Sequence, residues 1–525
     1  MRAPMFALGL VLSLGGALSA CEEATPPKVP GPTTAKPPAA TDSTGPKRDQ
    51  VRTIAQRDGA AKVVAIRVVF NVGSSDDPTG KEGLDALTAA MIAESGTSAF
   101  TYGELSKRLY PFAASVDVHV ERDQIVFSTE VAADSLDAFY PLFRDVLLTP
   151  RLDKESFDRL KARAQSNLVD DLKGADDEQL GKEALTSILY AGHPYGHPAV
   201  GTETGIAAIT LDDVAMARKH AFCKDRVVAG VAGGFPEGFD QTLGRDLAQL
   251  PPCDGPRAEL PAPKKTHGTK IVIVDKPTAD STAISIGFPS DVTRASEDFP
   301  AVSFFTAVVG LHRQSAGVLY NRLREARGFN YGDYMYPEYF EQEGWGRFPL
   351  PNIVRRQQFI SIWLRPLKPD NALFALRGAL YFYRQKLETG IPDEEIQRFR
   401  GFLSRYIGLE QQTPARRLGF AMDDAAYGLA VPHLERMRTA WSGLTSAKLK
   451  DVTAKRFTKD DLTIVLVAKN GAALKAAIVK GDKSPPKYDA PKPKEVTDED
   501  KIIEALPFGV KDEDVTIIPI ATLFK

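Results

Sequence analysis

The chain has 525 residues, more than one hydrophobic core usually organises, so two or more domains are expected. Hydrophobic residues make up 43% and charged residues 26%, an ordinary globular composition that argues against wholesale disorder. With 66 Lys and Arg against 68 Asp and Glu the net charge is −2, and no basic stripe is interleaved with aromatics, so a nucleic-acid partner is disfavoured.

At the start of the chain, Arg2 precedes an apolar run over 5–18 that is too short to span a bilayer as a mature helix. Residues 1–20 read as a secretory signal. The run closes on Leu18-Ser19-Ala20-Cys21, which resembles a bacterial lipobox, in which the cysteine is lipidated and becomes the mature N-terminus. Cys21 is then the lipid anchor, with a chance cysteine after an ordinary signal peptide as the alternative. Glu22 in place of Asp leans towards the outer membrane. Residues 21–50 are rich in Pro, Thr, Ala and Lys and lack apolar periodicity, the composition of a semi-extended tether. The expectation is a periplasmic protein that meets a membrane, the outer one, through lipid only.

Further along, Val63–Phe70 predicts a strand, 71–81 a polar turn, and the pattern from Leu84 onward a helix. Val116-Asp117-Val118-His119-Val120 alternates as a half-buried strand does, and 152–172 carries helical spacing. Glu178 and Glu183 fall on a further helix and read as surface carboxylates. His193 and His197 stand four apart, but Pro194, Gly196 and Pro198 forbid the helix that would aim both at one metal, so this segment reads as a packed loop. Cys223 and Cys253 match neither a zinc ribbon nor a thioredoxin motif. Two free thiols are the simpler reading, and a structural disulfide is the alternative. Lys224-Asp225-Arg226 then leads into a strand over 227–231.

Residues 251–268 are Pro- and Lys-rich and read as a linker, after which the same order of elements returns. A strand over 282–288, a polar loop over 289–298 and an apolar helix over Phe299–Gly310 are followed by Lys459-Asp460-Asp461, leading into a strand over 462–467. The two charged tripeptides lie 235 residues apart (459 − 224), too far for a solenoid unit. Duplicated α+β domains over 51–250 and 269–480 are the economical reading. Residues 481–525 form a C-terminal extension with a strand-like stretch over Val515–Pro519. No Gly-x-Ser-x-Gly elbow or dinucleotide fingerprint is present, and the stretch from Gly73 to Lys81 is too long and lacks the hydroxyl needed for a P-loop.

Two segments carry a more specific signal: Gly83-Leu84-Asp85-Ala86-Leu87-Thr88-Ala89-Ala90-Met91-Ile92-Ala93-Glu94-Ser95-Gly96-Thr97, and Leu323-Arg324-Glu325-Ala326-Arg327-Gly328-Phe329-Asn330-Tyr331. They resemble the two signature segments of the insulinase/pitrilysin (M16) metallopeptidase family. The resemblance implies two homologous mixed α/β domains with the M16 peptidase-like, LuxS/metallohydrolase-like fold, forming half of a clam-shell. In that family the first segment is a helix bearing His-x-x-Glu-His, two metal ligands and a general base. Here those places are Ala86, Ala89 and Ala90, and the place of the further glutamate ligand falls on Asn167, or on Ser166 or Leu168 with a one-residue insertion, none of them a carboxylate. Methyl groups hold no metal, so none is expected to be bound by this chain.

The second segment implies roles for Arg324 and Tyr331, seven residues apart, in binding a substrate backbone and stabilising the oxyanion. A permanently charged guanidinium and a phenol are suited to that work. The resemblance thus implies the non-zinc-binding, Arg/Tyr-type half of a bacterial two-subunit peptidase. Such a subunit is inactive alone, and its partner is a zinc-bearing M16 subunit that supplies zinc and base. An unstructured peptide is the substrate. The alternative is a non-catalytic scaffold or peptide-binding lipoprotein that keeps the M16 fold.

Overall fold

The computed structural model describes residues 50–342 and 346–525, with the backbone of 41–42; the expected signal segment 1–20, the anchor Cys21 and nearly all of the 21–50 tether lie outside the described residues. Runs of Val, Ile, Phe and Ala pair into two six-stranded mixed sheets, one from each half of the chain. The first half supplies β1 (Thr41–Asp42), β2 (Thr53–Arg57), β3 (Val63–Phe70), β4 (Asp117–Val120), β5 (Ile125–Ala132) and β6 (Val227–Gly233), in the order β1-β2-β6-β3-β5-β4. The second supplies β7 (Lys270–Asp275), β8 (Thr282–Ser290), β9 (Asp333–Tyr336), β10 (Gln358–Leu367), β11 (Thr463–Ala468) and β12 (Val515–Pro519), in the order β12-β7-β11-β8-β10-β9. From β2 and β7 inwards the two orders correspond. Directions correspond too, because β2 runs parallel to β6 as β7 does to β11, while the pairs further inwards, from β6 to β4 and from β11 to β9, are antiparallel. The chain is α+β with two alike sheets, the class its sequence implies.

Helices follow the same plan. The first half holds α1 (Leu84–Glu94), α2 (Tyr102–Leu109), α3 (Leu136–Leu148), α4 (Lys154–Ser166), α5 (Asp177–Leu189), α6 (Glu203–Ala208), α7 (Leu211–His220) and α8 (Phe239–Leu247). The second holds α9 (Phe299–Gly310), α10 (Ala372–Thr389), α11 (Asp393–Tyr406), α12 (Pro414–Ala426), α13 (His433–Ser442), α14 (Ser446–Arg456) and α15 (Gly471–Lys480), with α16 (Lys494–Ile503) in the extension. The helix expected over 152–172 is α4 up to Ser166, and its continuation, Asn167–Ala175, winds more widely as a π-helix.

Each sheet buries one face under helices of its own half. Ile66, Val68, Phe127 and Val231 meet Phe139 and Phe143, and Ile284, Ile286, Ile362 and Ile464 meet Phe304 and Phe305. The opposite faces are covered by an exchange of helices. Leu180, Ala184, Leu185 and Leu189 of α5 lie against Val272, Val274, Val465 and Val467. Leu418 and Met422 of α12 lie against Ile54, Val69, Val126 and Ala232. Gly230 makes the second contact possible, since a Cβ there would stand 2.5 Å from the Met422 sulfur. Because both faces are buried, the strands read as nearly continuous apolar runs.

The two halves differ at one turn. β4 and β5 are joined by residues 121–124, whereas β9 and β10 are joined by residues 337–357. The repeat is therefore not uniform: Asp117 and Asp333, which open β4 and β9, are 216 residues apart, and Val227 and Thr463, which open β6 and β11, are 236 apart. The extra length crosses to the first half, where it forms part of the site described below.

Two further details complete the frame. Cys223 and Cys253 are joined in a disulfide with their Cα atoms 5.2 Å apart, which corrects the free-thiol reading. They meet because the Lys224 N–H donates to the Pro251 carbonyl at 2.9 Å, aligning the entry of β6 with the start of the linker. In the extension, β12 adds parallel to β7, and α16 offers Glu499 and Asp500 to the buried Arg327 guanidinium at 2.8 and 2.9 Å. No helix among the described residues is long and apolar enough to cross a membrane.

Candidate functional site

Helix α1 starts at Gly83, whose φ of 105° suits glycine, and its first turn is held by Asp77, which accepts the Gly83 and Asp85 N–H groups at 2.7 and 2.8 Å. Leu84, Leu87 and Met91 pack with Phe157, Leu160 and Val214, while Ala89, Ile92 and Ala93 enter the core under the first sheet. Ala86 and Ala90 face a cavity of about 370 Å³, and Asn167 lines it as well. The positions expected at a zinc site are thus brought together, except that Ala89 is fully buried in the core. Zn²⁺ requires about three protein donors. This wall offers methyl groups and one carboxamide, so the zinc of the family does not fit on α1, and no chemical step is routed through it.

The facing wall is polar. Strand β4 is the edge of the first sheet and pairs only with β5 among the described residues. Val118, His119 and Val120 line the cavity, and the turn that follows, Glu121-Arg122-Asp123-Gln124, is buried although all four residues are polar. Burial of such a turn demands partners, and they come from far along the chain. Glu121 Oε2 accepts from Arg355 Nε at 2.8 Å and lies 2.7 Å from its Nη2 as an ion pair; Arg122 Nη2 donates to Glu183 at 2.7 Å; Asp123 Oδ1 accepts from Arg257 and Arg356, both at 2.9 Å. Burial would raise the Glu121 carboxyl, but the Arg355 and Arg122 guanidiniums win and hold it below its ordinary value. Asp123 is lowered likewise, burial being outweighed by Arg257 and Arg356.

Glu341, from the long β9–β10 connection, completes this wall. Its carboxyl is raised by burial, an effect that His119 opposes and Glu121 and Glu183 reinforce. His119 Nε2 stands 3.6 Å from Glu341 Oε2, and donor atoms of His119, Glu121 and Glu341 all lie within 4.8 Å of one another. Reading the sequence did not find this cluster. Two members sit in an ordinary alternating strand and its turn, and the third lies 220 residues further on, beyond the reach of any spacing rule.

Arg324 and Tyr331 lie elsewhere, and neither lines the cavity beside α1. Arg324 belongs to a π-helical turn, Tyr320–Glu325; its guanidinium lies 4.5 Å from the centre of the Tyr320 ring and 3.5 Å from Glu325. The turn after it is pinned by Asn330, whose Nδ2 donates to Asp333 Oδ1 at 2.7 Å and to the Arg365 carbonyl at 3.0 Å, while its Oδ1 accepts from Gly332 N–H at 3.2 Å. Tyr331 projects from this pinned turn with 79% of its surface exposed. Asp333 is fully buried, and that burial pushes its carboxyl up to about 7.

The remaining candidates are structural. His193 bonds to the Pro261 carbonyl at 2.9 Å and accepts from Tyr195 N–H at 3.0 Å; His197 bonds to the Pro198 carbonyl at 2.9 Å. Glu178 and Glu183 are not the solvated carboxylates expected. Glu178 joins Lys182 and Arg365 at 2.7 and 2.9 Å, and Glu183 is buried on Arg122, because α5 is wedged between the halves instead of facing water.

With this geometry in place, likeness to known proteins is informative. The sequence profile described as Insulinase (Peptidase family M16) matches residues 52–203. The non-peptidase homolog YmxG of Helicobacter pylori (strain ATCC 700392 / 26695) is 21% identical over 407 residues, which are 77% of this chain and 88% of that one. The uncharacterized zinc protease YmxG of Bacillus subtilis (strain 168) is 21% identical over 297 residues, 56% of this chain and 69% of that one. Among solved structures, the peptidase M16 inactive domain from Pseudomonas fluorescens has a TM-score of 0.71 at 20% identity, over 82% of this chain and 98% of that chain. Similarity at that identity reports a shared fold.

Proposed function

We propose that the chain is a non-catalytic member of the insulinase (M16) peptidase family, whose profile matches residues 52–203, and that it serves as the non-metal accessory subunit of a zinc peptidase, closing a peptide-binding chamber around a zinc-bearing M16 partner. The observation that carries this reading is the placement of Arg324 and Tyr331, which lie away from the alanine-lined cavity of their own chain, with the tyrosine presented to solvent from a rigid turn. A guanidinium and a phenol held in that way can donate to an oxyanion formed at another subunit's metal. Support for the peptide-binding part comes from β4, whose outer edge has no strand partner among the described residues and borders the cavity. An extended, unstructured peptide can add to such an edge through main-chain hydrogen bonds.

The proposal includes the periplasm as compartment and lipidated Cys21 as an attachment to the outer membrane. The Cys223–Cys253 disulfide supports an oxidising location. A direct test mixes the purified chain with a zinc-bearing M16 partner and a short unstructured peptide. The chain alone is expected to be inactive, and the mixture to exceed the partner alone. If the mixture gains nothing, the accessory reading fails and the non-catalytic scaffold or peptide-binding lipoprotein takes its place.

A further inference from the structure

The cavity that holds only methyls on α1 has ligand chemistry on its other wall. We propose that His119, Glu121 and Glu341 form a binding site for a divalent cation of the zinc or manganese class, built between the two halves of this chain and separate from the helix-borne site of the family. One imidazole nitrogen and two carboxylate oxygens are the donor types that such ions take. Three of them within 4.8 Å approach what a single ion requires. A tetrahedral ion with donors at about 2.0–2.1 Å sets them roughly 3.3 Å apart, and the His119 Nε2 to Glu341 Oε2 separation is already 3.6 Å.

Two independent features point to a ligand. His119 Nε2 is shielded from water and has no hydrogen-bond partner among the described residues, although it is aimed at the carboxylate of Glu341. Charge is unbalanced in the same place. Glu121 is matched by Arg355 and Glu183 by Arg122, whereas Glu341 has no guanidinium or ammonium within ion-pair distance among the described residues. The Glu341 side chain is only 35% exposed, and a carboxylate so placed gains from a cation. Arg355 and the Arg122 N–H all contact Oε2 of Glu121, which orients the carboxylate and leaves Oε1 for the ion. The adjoining cavity of about 370 Å³ has room for the water that completes the coordination.

The ion would tie the 337–357 connection to the edge strand β4. It would not restore the family's chemistry, because Ala89 replaces the helix-borne base. The test uses the tag-free full chain, stripped with a chelator and titrated by calorimetry with Zn²⁺ and, separately, Mn²⁺, with bound metal counted by mass spectrometry. One equivalent of at least one ion is expected, together with a rise in melting temperature. His119→Ala and Glu341→Gln are each expected to weaken binding by about 10-fold or more. His119 lies on an edge strand and is partly exposed, so its replacement should leave the fold intact, which circular dichroism checks. The proposal is overturned if the wild-type chain takes up no equivalent of either ion, or if either variant keeps wild-type affinity. Turnover with the partner plays no part in this measurement, so the accessory-subunit reading stands or falls separately.

Discussion

Arg355 and Glu121, 234 residues apart in sequence, meet as a fully buried ion pair with Nη2 2.7 Å from Oε2. The pair joins the long β9–β10 connection to the short β4–β5 turn, so it holds one half of the chain on the other beside the cavity. Truncation of Arg355 to Ala leaves a buried carboxylate with its principal partner gone. A loss of about 3–5 kcal/mol is expected in denaturant unfolding, because the uncompensated charge costs more than the contact itself. A double-mutant cycle with Glu121→Gln should show strong coupling, and additive losses would contradict the joint.

Arg324 and Tyr331 are expected to matter only in the assembled peptidase. Arg324→Ala should lower kcat/KM of the mixture with a zinc-bearing partner by about 10²-fold, the scale of losing one oxyanion donor. Its melting temperature should stay near wild type, since the side chain is partly exposed and rests on the Tyr320 face and Glu325. Steady-state kinetics on the mixture, with calorimetry on the isolated chain, separate the two effects.

Burial raises the Asp333 carboxyl to about 7, above its unfolded value near 3.9. Between those pH values the folded chain holds a proton that the unfolded chain releases. The contribution of this group is therefore fully present below about 4, is lost as pH rises towards 7, and is constant above that. Asp333→Asn keeps an oxygen for Asn330 and places an amide where Oδ2 has no partner. The variant is expected to be more stable than wild type at pH 8, on the order of a few kcal/mol, and to show a flatter pH dependence of melting between pH 4.5 and 7. A wild-type slope in the variant would refute this assignment.

The disulfide between Cys223 and Cys253 closes a separation of 30 residues. Its removal in Cys223→Ser with Cys253→Ser should cost about 3–4 kcal/mol through the greater freedom of the unfolded chain. Thermal unfolding with and without reductant checks this, since reductant should lower the melting temperature of the wild type and leave the double variant unchanged.

Local physics made much of this molecule legible from its residues. Val63–Phe70, Phe299–Gly310 and Val515–Pro519 take the lengths their apolar patterns imply, because periods of 2 and 3.6 residues are set by backbone geometry alone. The alanines at 86, 89 and 90 are equally a matter of sequence, since no fold can make a methyl group a metal ligand. Tertiary structure alone decided that Glu183 is buried on Arg122, that Cys223 meets Cys253, and that His119, Glu121 and Glu341 share a cavity. Each depends on which distant segment covers a given surface. That choice is made by the exchange of α5 and α12 between the sheets and by the length of one connection, neither of which leaves a periodic mark in the chain.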